Sequence, residues 1–227
     1  MATYNGEKFI ERQLVSILYQ LNSDDEVIIS DDNSSDNTLT IIKSLGDNRI
    51  KVSTNQGHPG PLGNFEHAIK QAEGDFILLA DQDDEWLPDK VSTLRALLQN
   101  HDVVLSDCQV INEKNEIIHP SFFAFRKSKP GFWHNLLRNS YVGCCMAFRR
   151  DILTYVLPFP SKIHMHDWWI GLLVEAKGSV YFYARPLIYY VRHGSNASPT
   201  GESGYGWLKR LQNRFYLLWY VGKRLLA

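Results

Sequence analysis

Two hydrophobic rhythms alternate along this chain. Ile10, Leu14, Ile17, Leu18 and Leu21 recur at three- and four-residue spacing, which predicts an amphipathic helix over 7–21. Residues 26–30, Glu-Val-Ile-Ile-Ser, form a short β-branched run between polar clusters and read as a buried strand. Leu39, Ile41, Ile42 and Leu45 resume the helical spacing, stopped at Gly46. The pattern continues with a strand at 50–54, a helix at 63–72, a strand at 75–80, a helix at 88–99 opened by Pro88, and a strand at 102–106. Strands alternating with helices predict an α/β fold, a mostly parallel sheet with helices on both faces.

After residue 107 the rhythm changes. Residues 108–118 suggest a hairpin turning at Glu113-Lys114-Asn115, with helices at 130–138 and 166–177 and strands near 144–148, 179–183 and 186–191. The chain therefore divides by pattern into a half over 1–107, an α+β half over 108–203 and a terminal helix over 204–227. No linker separates them, so one compact unit is expected.

Charge sharpens this picture. The net charge is −1, too balanced for a dedicated nucleic-acid binder, whose phosphate contacts need a basic excess. The balance is uneven, however. Lys209, Arg210, Arg214, Lys223 and Arg224 follow the last acidic residue, Glu202, leaving 19 basic against 25 acidic residues over 1–202. Residues 24–36 and 73–89 hold six and seven carboxylates with no Lys or Arg, and such clusters repel themselves unless water or a cation screens them. Cys108, Cys144 and Cys145 have no metal-ligand spacing and read as buried thiols in a reducing compartment. With no membrane-length apolar run and no signal-peptide pattern at Met1, the expected location is cytoplasmic.

In doubly wound sheets, ligands bind beyond the carboxyl ends of the strands. Strand 26–30 runs into Asp31-Asp32, and strand 75–80 into Asp81-Gln82-Asp83-Asp84, so both clusters should meet at one sheet edge. In extended backbone Asp81 and Asp83 point the same way and offer hard oxygen ligands suited to Mg²⁺ or Mn²⁺. An ordinary solvated capping loop is the structural alternative for that segment. Asp32 can accept from a base N–H or ribose hydroxyl, while Ser34, Ser35 or Asp36 can cap the next helix. Gly57, Gly60 and Gly63 lack a phosphate-loop pattern and read as a turn. In His164-Met165-His166-Asp167-Trp168-Trp169, Asp167 is a helix cap or a general base. The tryptophans are core or a sugar-stacking platform. His193 opens a polar loop, His193-Gly194-Ser195-Asn196. Residues 205–226 interleave the five cations with Tyr205, Trp207, Phe215, Tyr216, Trp219 and Tyr220, a pattern for a packed helix or for a membrane-surface helix.

Taken in order, Ala2-Thr3-Tyr4-Asn5-Gly6, the Asp31–Asp36 loop, Asp81-Gln82-Asp83-Asp84-Glu85-Trp86-Leu87-Pro88, His166-Asp167-Trp168-Trp169 and His193-Gly194-Ser195-Asn196 resemble the inverting family 2 glycosyltransferases. The last two motifs are similar to a rhamnosyltransferase-like bacterial branch. The resemblance implies a GT-A, Rossmann-like fold and a nucleoside-diphosphate sugar donor, dTDP-rhamnose or another hexose. It implies a glycan or lipid-linked acceptor in surface polysaccharide assembly, with the enzyme cytoplasmic or peripheral at the inner face of the plasma membrane. By the same resemblance Ala2, Tyr4, Asp32, Asn64 and Asp81 hold the donor nucleotide, and Asp83 and His193 lie at the metal. Asp167 is the catalytic base, and His166, Trp168 and Trp169 face the acceptor. A nucleotide-sugar-binding protein or a sugar nucleotidyltransferase is the alternative, although Ala2–Lys8 lacks the lysine-bearing glycine loop of the latter. Family members carry an apolar strand ahead of Ala2. With only Met1 there, unpaired edges are expected beside a truncated first strand. Val191 stands where the family often has Arg.

Overall fold

A computed structural model describes residues 1–194 and 206–226. Ser195, Asn196 and Tyr205, named above, lie outside the described residues. A parallel three-stranded sheet opens the chain in the order β1 (Ala2–Thr3), β2 (Val27–Asp31), β3 (Ile50–Thr54). Every residue of β2 is buried, as a strand covered on both faces requires. Helices α1 (Ile10–Leu18), α2 (Thr38–Ser44) and α3 (Pro61–Lys70) alternate with these strands. Ile10, Leu14 and Ile17 form the buried stripe of α1, at the spacing read from the sequence.

The second sheet is larger and mixed. Its path runs β4 (Phe76–Leu78), β8 (Met146–Arg149), β6 (Val103–Asn112), β9 (Val180–Arg192), β5 (Glu85–Trp86), with β7 (Ile117–His119) hairpinned onto β6. β6 and β9 pair in parallel, and the other pairs are antiparallel. The two strands expected at 179–183 and 186–191 form one, β9. Its register against β6 shifts between Ser106 and Asp107, where Tyr183 and Pro186 are the successive partners. Pro186 has no N–H to donate, and a bulge beside it absorbs the missing bond while bending the strand. The expected cut at residue 107 falls inside β6, and one hydrophobic core includes Ile10, Phe65, Trp168 and Leu217.

Between β2 and β4 the sheet is interrupted. β1 pairs only through Ala2 with Ser30 and Thr3 with Asp31. Next to it the buried Met1 ammonium donates to the Ile28 carbonyl at 2.7 Å. Burial lowers the pKa of that ammonium to about 5, against the opposing pull of Asp81. A cavity of about 540 Å³, lined by Met1, Val27, Ile28, Phe65, Ile77 and Leu79, occupies the rest of the slot.

The remaining elements are α4 (Lys90–Leu97), α5 (Phe122–Arg126), α6 (Phe132–Leu137), a 3-10 turn at Gly143–Cys145, a second at Arg150–Ile152, α7 (Leu153–Val156), α8 (His166–Lys177) and α9 (Trp207–Leu226). The three cysteines are free and buried. Helix α8 is buried on all sides from His166 to Val174, so it behaves as a core helix with no solvent stripe. Gly171 makes this possible, since a Cβ there would land on the Tyr141 ring. Helix α9 lies on α8 and α6 through Asn213, Leu217 and Val221. Its Arg224 donates to the carbonyls of Tyr155, Leu157 and Pro158, and Arg214 donates to that of Leu137.

Gly171→Ala sets two effects against each other. Helix propensity gains about 1 kcal/mol, whereas overpacking of a buried ring costs about 1–3 kcal/mol. Tyr141 is itself buried and has no room to yield. Thermal denaturation should show a lower midpoint for Gly171→Ala than for the parent, and an equal or higher midpoint would contradict this packing account.

Candidate active site

The acidic segment after β4 is held in place by neighbours on three sides. The Asp81 carbonyl accepts from Gln13 Nε2 at 2.8 Å. Gln82 exchanges two 2.9 Å bonds with the Tyr4 backbone, one to the N–H and one from its own amide to the carbonyl. Glu85 and Trp86 then pair with Tyr189 and Ile188 of β9. Continuing that antiparallel course, the Val191 N–H donates to Asp84 Oδ1 at 3.2 Å, and His193 Nε2 meets Asp83 Oδ2 at 2.8 Å. Phe9 stacks on the His193 ring at 4.4 Å. Sequence positions 83 and 193 are thus joined by strand register, a link no local pattern displays.

Asp167 enters the same site from the first turn of α8. Its Oδ1 accepts from the Trp168 N–H at 2.7 Å, and the Gly143 N–H also bonds to its carboxylate. Burial dominates these bonds and raises its pKa to about 7. Asp81 is raised to about 7 as well, first by burial and then by the charges of Asp83 and Asp167. Burial likewise pushes Asp84 well above the usual carboxylate range. Asp81 therefore lies within electrostatic reach of both Asp83 and Asp167.

The other candidates divide. Ala2 sits in β1 and Tyr4 is exposed beside Gln82. Asn64 is buried and donates to the Thr3 carbonyl at 3.1 Å. Asp32 Oδ1 accepts from Asn55 at 2.9 Å, and Oδ2 from the Gly60 N–H at 2.7 Å, so it ties the glycine turn to the end of β2. Gly63 lets α3 start hard against that turn, because a Cβ would fall on the His58 carbonyl. Asp31 is structural and accepts from the Thr3 hydroxyl and from Ser34. Capping of α2 rests on Asp36, which accepts from the Thr38 N–H at 3.0 Å.

The acceptor platform requires correction. Trp168 and Trp169 are 1% and 0% exposed, and their indole N–H groups donate to the carbonyls of Asn135 and Val156. They are core residues with no face open to a sugar. The guanidinium groups of Arg214 and Arg224 stack on them at 5.7 and 5.4 Å, which makes them the seat of α9. His166 is also buried, with Phe65 against its ring, and burial lowers its pKa to about 3. Gln82, Gly143 and Asp84 were missed as site-builders. Gln82 was legible only as the residue between two aspartates, and Gly143 gave no signal.

The donor set fits a hard divalent ion. Crowded carboxylates with raised proton affinity are what a cation neutralises, and oxygen ligands suit Mg²⁺ or Mn²⁺. Ligand atoms of Asp81, Asp84 and Cys144 lie within 4.8 Å of one another, but a thiol is a poor partner for such an ion. The hard oxygen atoms of that group come from Asp81 and Asp84.

The profile of "Glycosyl transferase family 2" matches residues 1–157, and the chain belongs to that family. It is 30% identical over 176 residues to the Escherichia coli UDP-Glc:alpha-D-GlcNAc-diphosphoundecaprenol beta-1,3-glucosyltransferase WfgD, covering 77% of this chain and 67% of that protein. It is 28% identical over 243 residues to the Shigella flexneri dTDP-rhamnosyl transferase RfbG, covering 95% and 80%. Among solved structures, Staphylococcus aureus TarS 1-349 in complex with UDP-GlcNAc superposes with a TM-score of 0.69 at 22% identity, over 100% of this chain and 65% of that one. The mannosyltransferase PcManGT from Pyrobaculum calidifontis, in complex with GDP-Man and Mn²⁺, gives 0.63 at 19%, over 96% and 62%. The fold is accordingly of the GT-A type. The chain spans about two thirds of the length of the solved structures it matches.

The raised pKa of Asp167 has a consequence for stability. Folded, it keeps its proton up to about pH 7; unfolded, it ionises near about pH 4. Between these values the folded state binds more protons, so its contribution to stability is full below about pH 4 and is lost as pH rises through about 7. In urea titrations of metal-free protein, Asp167→Asn should lose less stability than the parent across this window. Parallel curves would contradict the assignment.

Proposed function

We propose that this protein is an inverting glycosyltransferase. It would move a hexose or deoxyhexose, rhamnose among them, from a nucleoside-diphosphate sugar to a glycan or lipid-linked acceptor in surface polysaccharide assembly. The observation that carries this reading is Asp167, a buried carboxylate of pKa about 7 in the same site as Asp81 and Asp83. A carboxyl of that proton affinity suits general-base work near neutral pH. In this reading Asp167 takes the proton of the acceptor hydroxyl as that oxygen attacks the anomeric carbon, and the nucleoside diphosphate leaves from the opposite face. The Gly143 and Trp168 N–H groups orient the base.

Asp81 and Asp83 would hold Mg²⁺ or Mn²⁺, with His193 beside the ion through its 2.8 Å contact with Asp83. The ion supplies Lewis-acid stabilisation of the departing diphosphate. Tyr4, Asp32 and Asn64 would border the nucleoside, since they surround the short β1 and the end of β2. Support for the acceptor class comes from the diphosphoundecaprenol substrate in the name of the Escherichia coli relative, and for the sugar from the dTDP-rhamnosyl relative. A lipid-linked acceptor sets the enzyme at the inner face of the membrane carrying it.

Two variants separate the roles. Asp83→Ala should abolish the Mn²⁺-dependent part of donor binding in calorimetry across a panel of nucleoside-diphosphate sugars. Asp167→Asn should bind donor like the parent and lose roughly a hundredfold or more in release of nucleoside diphosphate with acceptor present. Parental turnover by Asp167→Asn would remove this residue from the chemistry.

A further inference from the structure

Helix α9 has two apolar faces, and the fold uses one. On a helix turning about 100° per residue, Asn213, Leu217 and Val221 mark the buried face. A second arc of about 120° carries Trp207, Leu208, Leu211, Phe215, Leu218, Trp219, Gly222, Leu225 and Leu226, with no polar side chain in it. The large residues of this arc are exposed, Phe215 at 63% and Trp219 at 60%. The bond from Arg214 to the Leu137 carbonyl brings the end of α6 to the edge of the arc. There Trp133 and Leu137, one turn apart, are also exposed. A patch of this size and aromatic content marks an interaction surface.

We infer that this arc, extended by Trp133 and Leu137, is a docking surface for an anionic lipid bilayer. The charge around it selects that occupant. Helix α9 carries five cations and no carboxylate, with exposed Lys209 and Lys223 on one flank of the arc. A second copy of the same face would oppose cations to cations. Anionic headgroups would pair with them while Trp and Phe enter the headgroup boundary. The helix would lie in the interface plane, since no helix among the described residues is long and apolar enough to cross a membrane. Arg214 and Arg224 serve a different end: their guanidinium groups clamp the helix to backbone carbonyls and to Trp168 and Trp169, so the outer arc is presented on a fixed support. This inference rests on the reading of a lipid-linked acceptor, which it supplies with a means of approach.

Flotation with vesicles of phosphatidylcholine alone, and of phosphatidylcholine mixed with phosphatidylglycerol, tests it on the intact chain. The parent should float with the mixed vesicles and weakly with phosphatidylcholine alone. The double variant Phe215→Glu/Trp219→Glu should lose flotation while keeping the parental melting temperature, because both side chains are exposed. Lys209→Glu and Lys223→Glu should each weaken binding to mixed vesicles by roughly fivefold or more. Absence of flotation, or flotation that the double variant leaves intact, overturns the inference. So does a concentration-dependent dimer in sedimentation velocity that the double variant dissolves without any vesicle binding. Nucleoside diphosphate release in detergent, without vesicles, should be the same for parent and double variant. A loss of flotation with parental release bears on the docking surface alone, and a parent that floats but releases nothing bears on the transferase reading alone.

Discussion

Buried carboxylates brought together in one site repel, and each is costly to ionise away from water. The architecture around residues 81–84 is an arrangement for holding such a cluster together. The Asp81 backbone is tied to α1 through Gln13, Gln82 to the chain after β1, Asp84 to β9, and Asp83 to His193. Burial raises the proton affinities of Asp81, Asp84 and Asp167, and neighbouring carboxylates add to the first two. A site that keeps carboxylates in this state is prepared for a cation and for proton transfer. The GT-A fold supplies the frame on which these segments meet.

Helix α8 links that pocket to the outer surface. Its first turn presents Asp167 to the site, while Trp168 and Trp169 turn into the core and carry the arginines of α9 on their rings. Gly171 lets the same helix close on Tyr141. One buried helix therefore positions Asp167 and seats the terminal helix. Its amphipathic signal is absent because every face is covered, which is why the sequence motif His-Asp-Trp-Trp looks like a ligand platform when it is largely packing.

Much of the alternation of elements was readable from the chain. The stripe of Ile10, Leu14 and Ile17 follows from apolar periodicity and the buried run of β2 from an unbroken β-branched stretch, both of them local signals. The strand ends place the Asp31-Asp32 and Asp81–Asp84 runs at the carboxyl edge of the sheets, whereas Asp167 comes from the first turn of α8 and its place in the site is legible only through the family resemblance. Of the two readings of the tryptophans the fold selects core, against the acceptor role implied by the resemblance, because exposure is a property of what packs on a side chain and α6, α7 and α9 are not their sequence neighbours.

Local hydrophobic spacing and runs of carboxylates fixed the α/β class, the family motifs and the acidic character of the site, since those depend on near neighbours along the chain. Tertiary pairing decided the rest. The register of β5 on β9 delivered His193 to Asp83, and burial determined which aspartates hold protons. The seating of α9 chose which of its two apolar faces remains outside. Each of these is set by contacts between segments distant in sequence, where solvent exclusion and strand register, absent from any short window of residues, govern the energy.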